Sequence, residues 1–164
     1  MAKEKVKRLI VNADDFGMHE SINRSVEDAH RRGVLTSASL VVNTQNFDEA
    51  VEIAKRNKTL GVGIHLTLID EEPVAPKEKI PSILDKDGRL FKVFATEFCM
   101  KVIKGESKLT HVAEECEAQI LKFIRSGLVP THVDSHQQLH LFPPIFNCLK
   151  PILKKYGIKN VRTL

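Results

Sequence analysis

The chain has 164 residues, 42% of them hydrophobic and 28% charged, with a formal net charge of +4. Such a chain is expected to form a single globular α/β domain over residues 1–164, long enough to bury a sizeable core. Its cations gather near the ends ("MAKEKVKR", "KPILKKYGIKNVR"), and with no Trp and one Tyr it lacks the aromatic-interleaved basic stripe of a nucleic-acid binder.

No apolar run approaches the ~20 residues of a membrane span, and "LIVNA" is too short for a signal sequence's apolar region. No membrane partner is expected. Cys99, Cys116 and Cys148 are widely spaced, with no C-x-x-C, which fits a reducing cytoplasm.

In chain order, "RLIVNAD" (8–14) reads as a β-strand ending in acids, and "ESINRSVEDAHRRG" (20–33) as a helix with Ile22, Val26 and Ala29 on one face and Gly33 as its stop. "TSASLVVN" (36–43) is a strand. "NFDEAVEIAKRN" (46–57) is a helix whose Asn46 and Glu49 resemble a capping box. "GVGIHLTL" (61–68) is a strand, and 69–90, rich in Pro, Lys and Asp, is a long loop expected to act as a lid or rim. Helices follow at about 91–104 and 110–126, the second placing Val112, Cys116, Ile120, Phe123 and Ile124 on one face. "PTHVDS" (130–135) is a strand, "PPIFNCLKPILKKYG" (143–157) a helix opened by prolines and expected to kink at Pro151, and "KNVRTL" (159–164) a final strand. Alternating strands and helices predict a parallel sheet with right-handed crossovers.

In parallel α/β folds chemistry gathers at the carboxyl ends of the strands. Here those ends carry Asp14 and Asp15 ("NADDFG"), His65 ("GIHL"), and His132, Asp134 and His136 ("THVDSH"). Pro130 and the β-branched Thr131 and Val133 favour a strand through "THVDSH", so His132, Asp134 and His136 share a face and His140 falls in the following loop. Adjacent carboxylates need a compensating cation or a shared proton. One carboxylate with two imidazoles can hold a catalytic divalent ion, and a second carboxylate beside it can act as general base. Asp15, His65 and His136 are the expected ligands and Asp14 the expected base. His132, Asp134, His140 and Phe16 are expected near the substrate or behind the ligands, with Phe16, Phe142 and Phe146 as core or pocket wall. His19, His30 and His111 fall in or beside helices and read as surface groups. The plainer alternatives are a helix cap for the acidic pair and a core histidine for His65.

"LIVNADDFG", "GVLTSASLVVN", "GVGIHLTL" and "THVDSHQQLHLFPPIF" resemble, in order and spacing, the YdjC-like carbohydrate deacetylases, a family that includes chitooligosaccharide deacetylases. The resemblance covers residue 7 onward. It implies a distorted, TIM-type parallel (β/α) barrel. It implies removal of N-acetyl groups from short amino-sugar oligosaccharides with release of acetate. It further implies a divalent metal, taken as Mg²⁺, and a homodimer. By matching position it assigns Asp15, His65 and His136 as metal ligands and Asp14 as base; the nitrogen ligands would also suit Zn²⁺.

Members of that family are longer and carry a further histidine in an "HPG"-like motif towards their C-terminus. This chain reaches only a fifth strand, where a barrel wants about eight. It is therefore expected to hold an incomplete barrel, without the part that carries the candidate general acid. Gln138 stands where relatives often have His or Val. The rival readings are a phosphoesterase on a similar barrel, a phospho-acceptor domain, and a metal- or sugar-binding domain without full activity. The first would be favoured by an H-x-H pair at the first strand, which is absent. The second would need an aspartate where His65 stands. The "DFG" triplet has no glycine-rich loop or "HRD" beside it and does not mark a kinase.

Overall fold

A computed structural model describes residues 9–163. Arg8, expected to open the first strand, and Leu164, expected to end the last, lie outside them. Four parallel strands pair in sequence order. They are β1 (Asn12–Phe16), β2 (Ser37–Leu40), β3 (Gly61–Leu66) and β4 (Val133–Ser135). The crossovers carry α1 (Glu20–Arg32), α2 (Phe47–Arg56), and the pair α3 (Ala95–Ile103) and α4 (Leu109–Arg125); α5 (Pro143–Lys155) follows β4. The predicted α/β class and element order hold, and the described sheet is an open one of four strands. β2 is buried throughout and β3 nearly so, which explains their near-continuous apolar runs.

The expected fifth strand shrinks to a single parallel bridge, Val133 to Val161. β4 has only three residues, so little ladder is available to pair with. Pro151 does not break α5, because Ile145, Leu149, Ile152 and Leu153 bury on both sides of it and the helix packs along α4. The capping box does not form. Asn46 instead donates to the Met18 carbonyl at 3.2 Å, and Glu49 accepts from Asn23 at 2.8 Å, so both side chains tie α2 to the segment after β1. Buried apolar side chains of α4 (Val112, Cys116, Ile120, Phe123) match the predicted face.

Segment 69–90 is no loose lid. It folds into two 3₁₀ turns (Lys77–Lys79 and Pro81–Ile83) and a Leu84–Leu90 bridge, and it buries Ala75, Ile80, Ile83 and Leu90. The wholly buried Glu115 of α4 holds it down by accepting the Val74 and Ala75 amides, both at 2.9 Å. Gln119, one turn on, donates to Glu115 and to the Thr67 carbonyl and accepts the Thr67 amide. Burial pushes the Glu115 carboxyl up, although the amide donors oppose it.

The sheet curls. Arg162, beside β4, reaches Asp14 on β1. Four strand spacings of ~4.8 Å would part them by roughly 19 Å in a flat sheet.

Candidate metal centre

The two acids after β1 owe their placement to a break in the ladder. β1 pairs with β2 through Asn12–Ser37 and Ala13–Ala38, then slips so that Phe16 meets Leu40. Asp14 and Asp15 sit in this irregularity, and Asp15 takes a left-handed φ of 60°. Regular alternation would send adjacent side chains to opposite faces. The bulge re-aims them so that both carboxylates act on the same imidazole, His65.

His65 is the hub. It is 2% exposed on β3, in register with Asp134 on β4. Its Nδ1–H donates to Asp134 Oδ1 at 2.7 Å, and its Nε2 lies 3.2 Å from Asp15 Oδ1. His136, directly after β4, brings Nδ1 to 3.1 Å from the same oxygen. The two imidazoles meet edge to face, with centroids 5.9 Å apart. One ligand-type atom from each of Asp15, His65 and His136 lies within 4.8 Å of the others. Burial alone would lower the His65 pKa, but the bonds to Asp134 and Asp15 outweigh it and raise it to about 9. The bonds from His136 and His65 hold Asp15 far below the usual carboxylate range.

This donor set fits a divalent ion. It pairs a carboxylate oxygen with two imidazole nitrogens on a partly open face, Asp15 being 32% and His136 23% exposed. Asp134 sits behind His65, where a carboxylate fixes the tautomer and ring orientation of a ligating histidine.

The backing is dense. Ser39 of β2 donates to Asp134 Oδ2 at 2.7 Å and contacts His132 Nε2 at 3.0 Å and Asn12 Nδ2 at 2.9 Å. His132 packs its ring flat on Gly63 and is pushed to a lower pKa by burial. His140, wholly buried, bonds Ser135 Oγ through Nδ1 and the Arg162 carbonyl through Nε2. Phe16, expected as core or pocket wall and placed near the substrate or behind the ligands, is core: it has 0% exposure, because it follows the bulge and points inward. His19 caps α1, His30 bonds the Leu35 carbonyl and Thr59, and His111 bonds Ser82; all three serve local structure.

Arg162, Ser39 and Asn12 escaped the sequence reading. Arg162 forms a two-pronged ion pair with Asp14, its Nη2 lying 2.8 Å from Oδ2, and its Nη1 reaches Asp134 at 2.8 Å. The Arg162 bond, more than its charge, lowers the Asp14 pKa. The available signal was weak: Ser39 and Arg162 are polar residues inside apolar strand-like runs ("SASLVV", "NVRTL"). Along the same rim runs a groove of about 820 Å³ whose lining includes Met18, Asn43, Gln45, Glu71, Glu72 and Arg89.

A curled parallel sheet carries, at its carboxyl rim, a carboxylate–bis-imidazole cluster that could hold a metal ion. The chain belongs to the YdjC-like protein family, whose pattern it matches over residues 8–164. A Brevibacillus brevis protein named carbohydrate deacetylase is 38% identical over 92% of this chain and 57% of its own length. A Salmonella paratyphi B protein named chitooligosaccharide deacetylase is 36% identical over the same shares. The crystal structure of an Enterococcus faecalis V583 protein, named as a candidate for cellobiose-phosphate cleavage, superposes with a TM-score of 0.81 at 32% identity, covering 94% of this chain and 57% of that one. The chain thus spans about 57% of the length of these relatives. No helix among the described residues is long and apolar enough to cross a membrane.

Proposed function

We propose that this chain carries the metal-and-base centre of a hydrolase that removes N-acetyl groups from short amino-sugar oligosaccharides. The observation that carries the reading is the convergence of Asp15, His65 and His136 beside the Arg162-paired carboxylate of Asp14, in a family whose relatives are named for sugar deacetylation. In this reading the curled sheet is the first part of a TIM-type barrel. The protein works in the cytoplasm as a homodimer, and the ion is Mg²⁺, with Zn²⁺ as the rival the nitrogen donors would accept.

Asp15 Oδ1, His65 Nε2 and His136 Nδ1 would hold the ion. A divalent ion in such a site supplies a water of lowered pKa and polarises the acetyl carbonyl. Asp134 keeps the His65 Nδ1–H engaged, which leaves Nε2 to face outward. Asp14 takes the proton of the attacking water. Arg162 keeps Asp14 ionised and aimed throughout the neutral range; the same lowering makes it a weaker base, so the transfer must draw on the acidified water. The rim groove receives the rest of the oligosaccharide, its volume being in the range of small-molecule sites.

The test is acetate release from N-acetylated chitobiose by the wild type, Asp14→Asn and His136→Ala, each with and without chelator, with a generic phosphate ester as the control substrate. Chelator-sensitive release, lost in both variants, is the expected result. Asp14→Asn should still bind metal. Chelator-insensitive release, or turnover of the ester instead, would reject the reading.

A further inference from the structure

The metal-and-base reading uses Arg162 only for its effect on Asp14, yet the guanidinium does more. It lies between two carboxylates from opposite ends of the sheet, Asp14 on β1 and the wholly buried Asp134 on β4. These two, with His65, form a second group whose potential ligand atoms lie within 4.8 Å of one another. Beside them Asn12 donates its amide to Asp14 at 2.8 Å and to Ser39 at 2.9 Å, while its carbonyl oxygen is buried with no donor among the described residues. Two carboxylates held this close are hard donors of the kind a divalent cation takes.

We infer that Arg162 holds the place of a second cation: it keeps the centre to one divalent ion, and its removal opens an oxygen-rich cation site at Asp14 and Asp134. The inference rests on the reading above for the first ion. Neighbouring carboxylates demand positive charge. A metal would answer that demand by ligating Asp14, and the base would be spent as a ligand, giving a two-metal centre. A guanidinium answers it with hydrogen bonds and a charge it cannot lose. Asp14 keeps lone pairs for a proton, and the chemistry stays that of one metal and one base.

Mn²⁺ titrated calorimetrically into the wild type, Arg162→Met, Arg162→Lys and the double variant Arg162→Met/Asp134→Asn reads the stoichiometry. Arg162→Met should bind one ion more per chain than the wild type. Arg162→Lys, which keeps the charge, should match the wild type, and the double variant should bind its extra ion at least tenfold more weakly or not at all. An Arg162→Met protein that is folded by circular dichroism and gains no ion overturns the inference, as does a wild type that takes a second ion at these carboxylates. If Arg162→Met is unfolded without metal, refolding on addition of Mn²⁺ that is lost in Arg162→Met/Asp134→Asn supports the inference, and refolding that is equal in the two, or absent, overturns it. The quantity read is the difference between variant and wild type. A wild type that binds none, beside a variant that binds one, would therefore reject the proposed function and leave the role of Arg162 standing.

Discussion

Metal affinity should climb steeply with pH up to about 9. In the metal-free protein the His65 imidazolium is held from both sides, its Nδ1–H by Asp134 at 2.7 Å and its Nε2 proton by Asp15 at 3.2 Å, which lifts its pKa to about 9. An ion bound at Nε2 must displace that proton. Apparent affinity then falls by a factor of one plus ten raised to the difference between this pKa and the pH: about tenfold at pH 8 and about 100-fold at pH 7. Asp15 stays ionised across this range and adds no slope of its own. Calorimetric titration with Mn²⁺ from pH 6.5 to 9, in buffers of different ionisation enthalpy, should show this rise and the release of about one proton per ion at pH 7. Asp134→Asn removes the stronger of the two partners, so the rise should move to lower pH. An affinity that is flat between pH 6.5 and 8, with no proton released, would refute the placement of the ion on His65.

The same shift predicts the stability of the metal-free protein. The folded pKa lies above the unfolded value of 6.5, so the contribution is full below pH 6.5 and lost as pH rises through about 9; it amounts to about 3 kcal/mol and should appear as a falling melting temperature absent from His65→Gln. Gln138→Gly should raise stability by about 1 kcal/mol in chemical denaturation, because Gln138 sits at φ 59° where a Cβ is strained. Gly63→Ala should cost about 1–3 kcal/mol, since the new methyl meets the His132 ring nitrogens at 2.5 Å and must drive that ring off Ser39. Glu115→Ala should cost about 1–3 kcal/mol and speed hydrogen exchange at Val74 and Ala75, whose amides lose their acceptor.

The ends of the strands were readable because a polar group closing an apolar run is unusual, and "GIHL" and "THVDSH" each supply one. What brings them together was not. The bulge that turns Asp14 and Asp15 to one side depends on a left-handed Asp15, which no local pattern demands. Gln137 and Gln138 are likewise left-handed, and the Gln137 side chain accepts the Ala95 amide at the start of α3. That contact spans 42 positions and is invisible to any short window. Arg162 was hidden by composition: in a cation-rich terminal segment one arginine looks like its solvated neighbours. Segment 69–90 misled for the opposite reason. Its prolines and charges read as open loop, while its anchor, Glu115, lies on a distant helix.

The clamp on Asp14 has a consequence for how the protein comes into being. Its two halves are 148 positions apart in the chain. A ribosome would have released β1 and β3 before it supplied the arginine, whereas Asp134, 28 positions before Arg162, emerges almost together with it. Until then Asp14 lacks the partner that sets its charge and its aim. The side of the site that carries the expected base is therefore completed only when β4 and the segment beside it dock against β1, so the centre is finished by closure of the curled sheet rather than by any one strand.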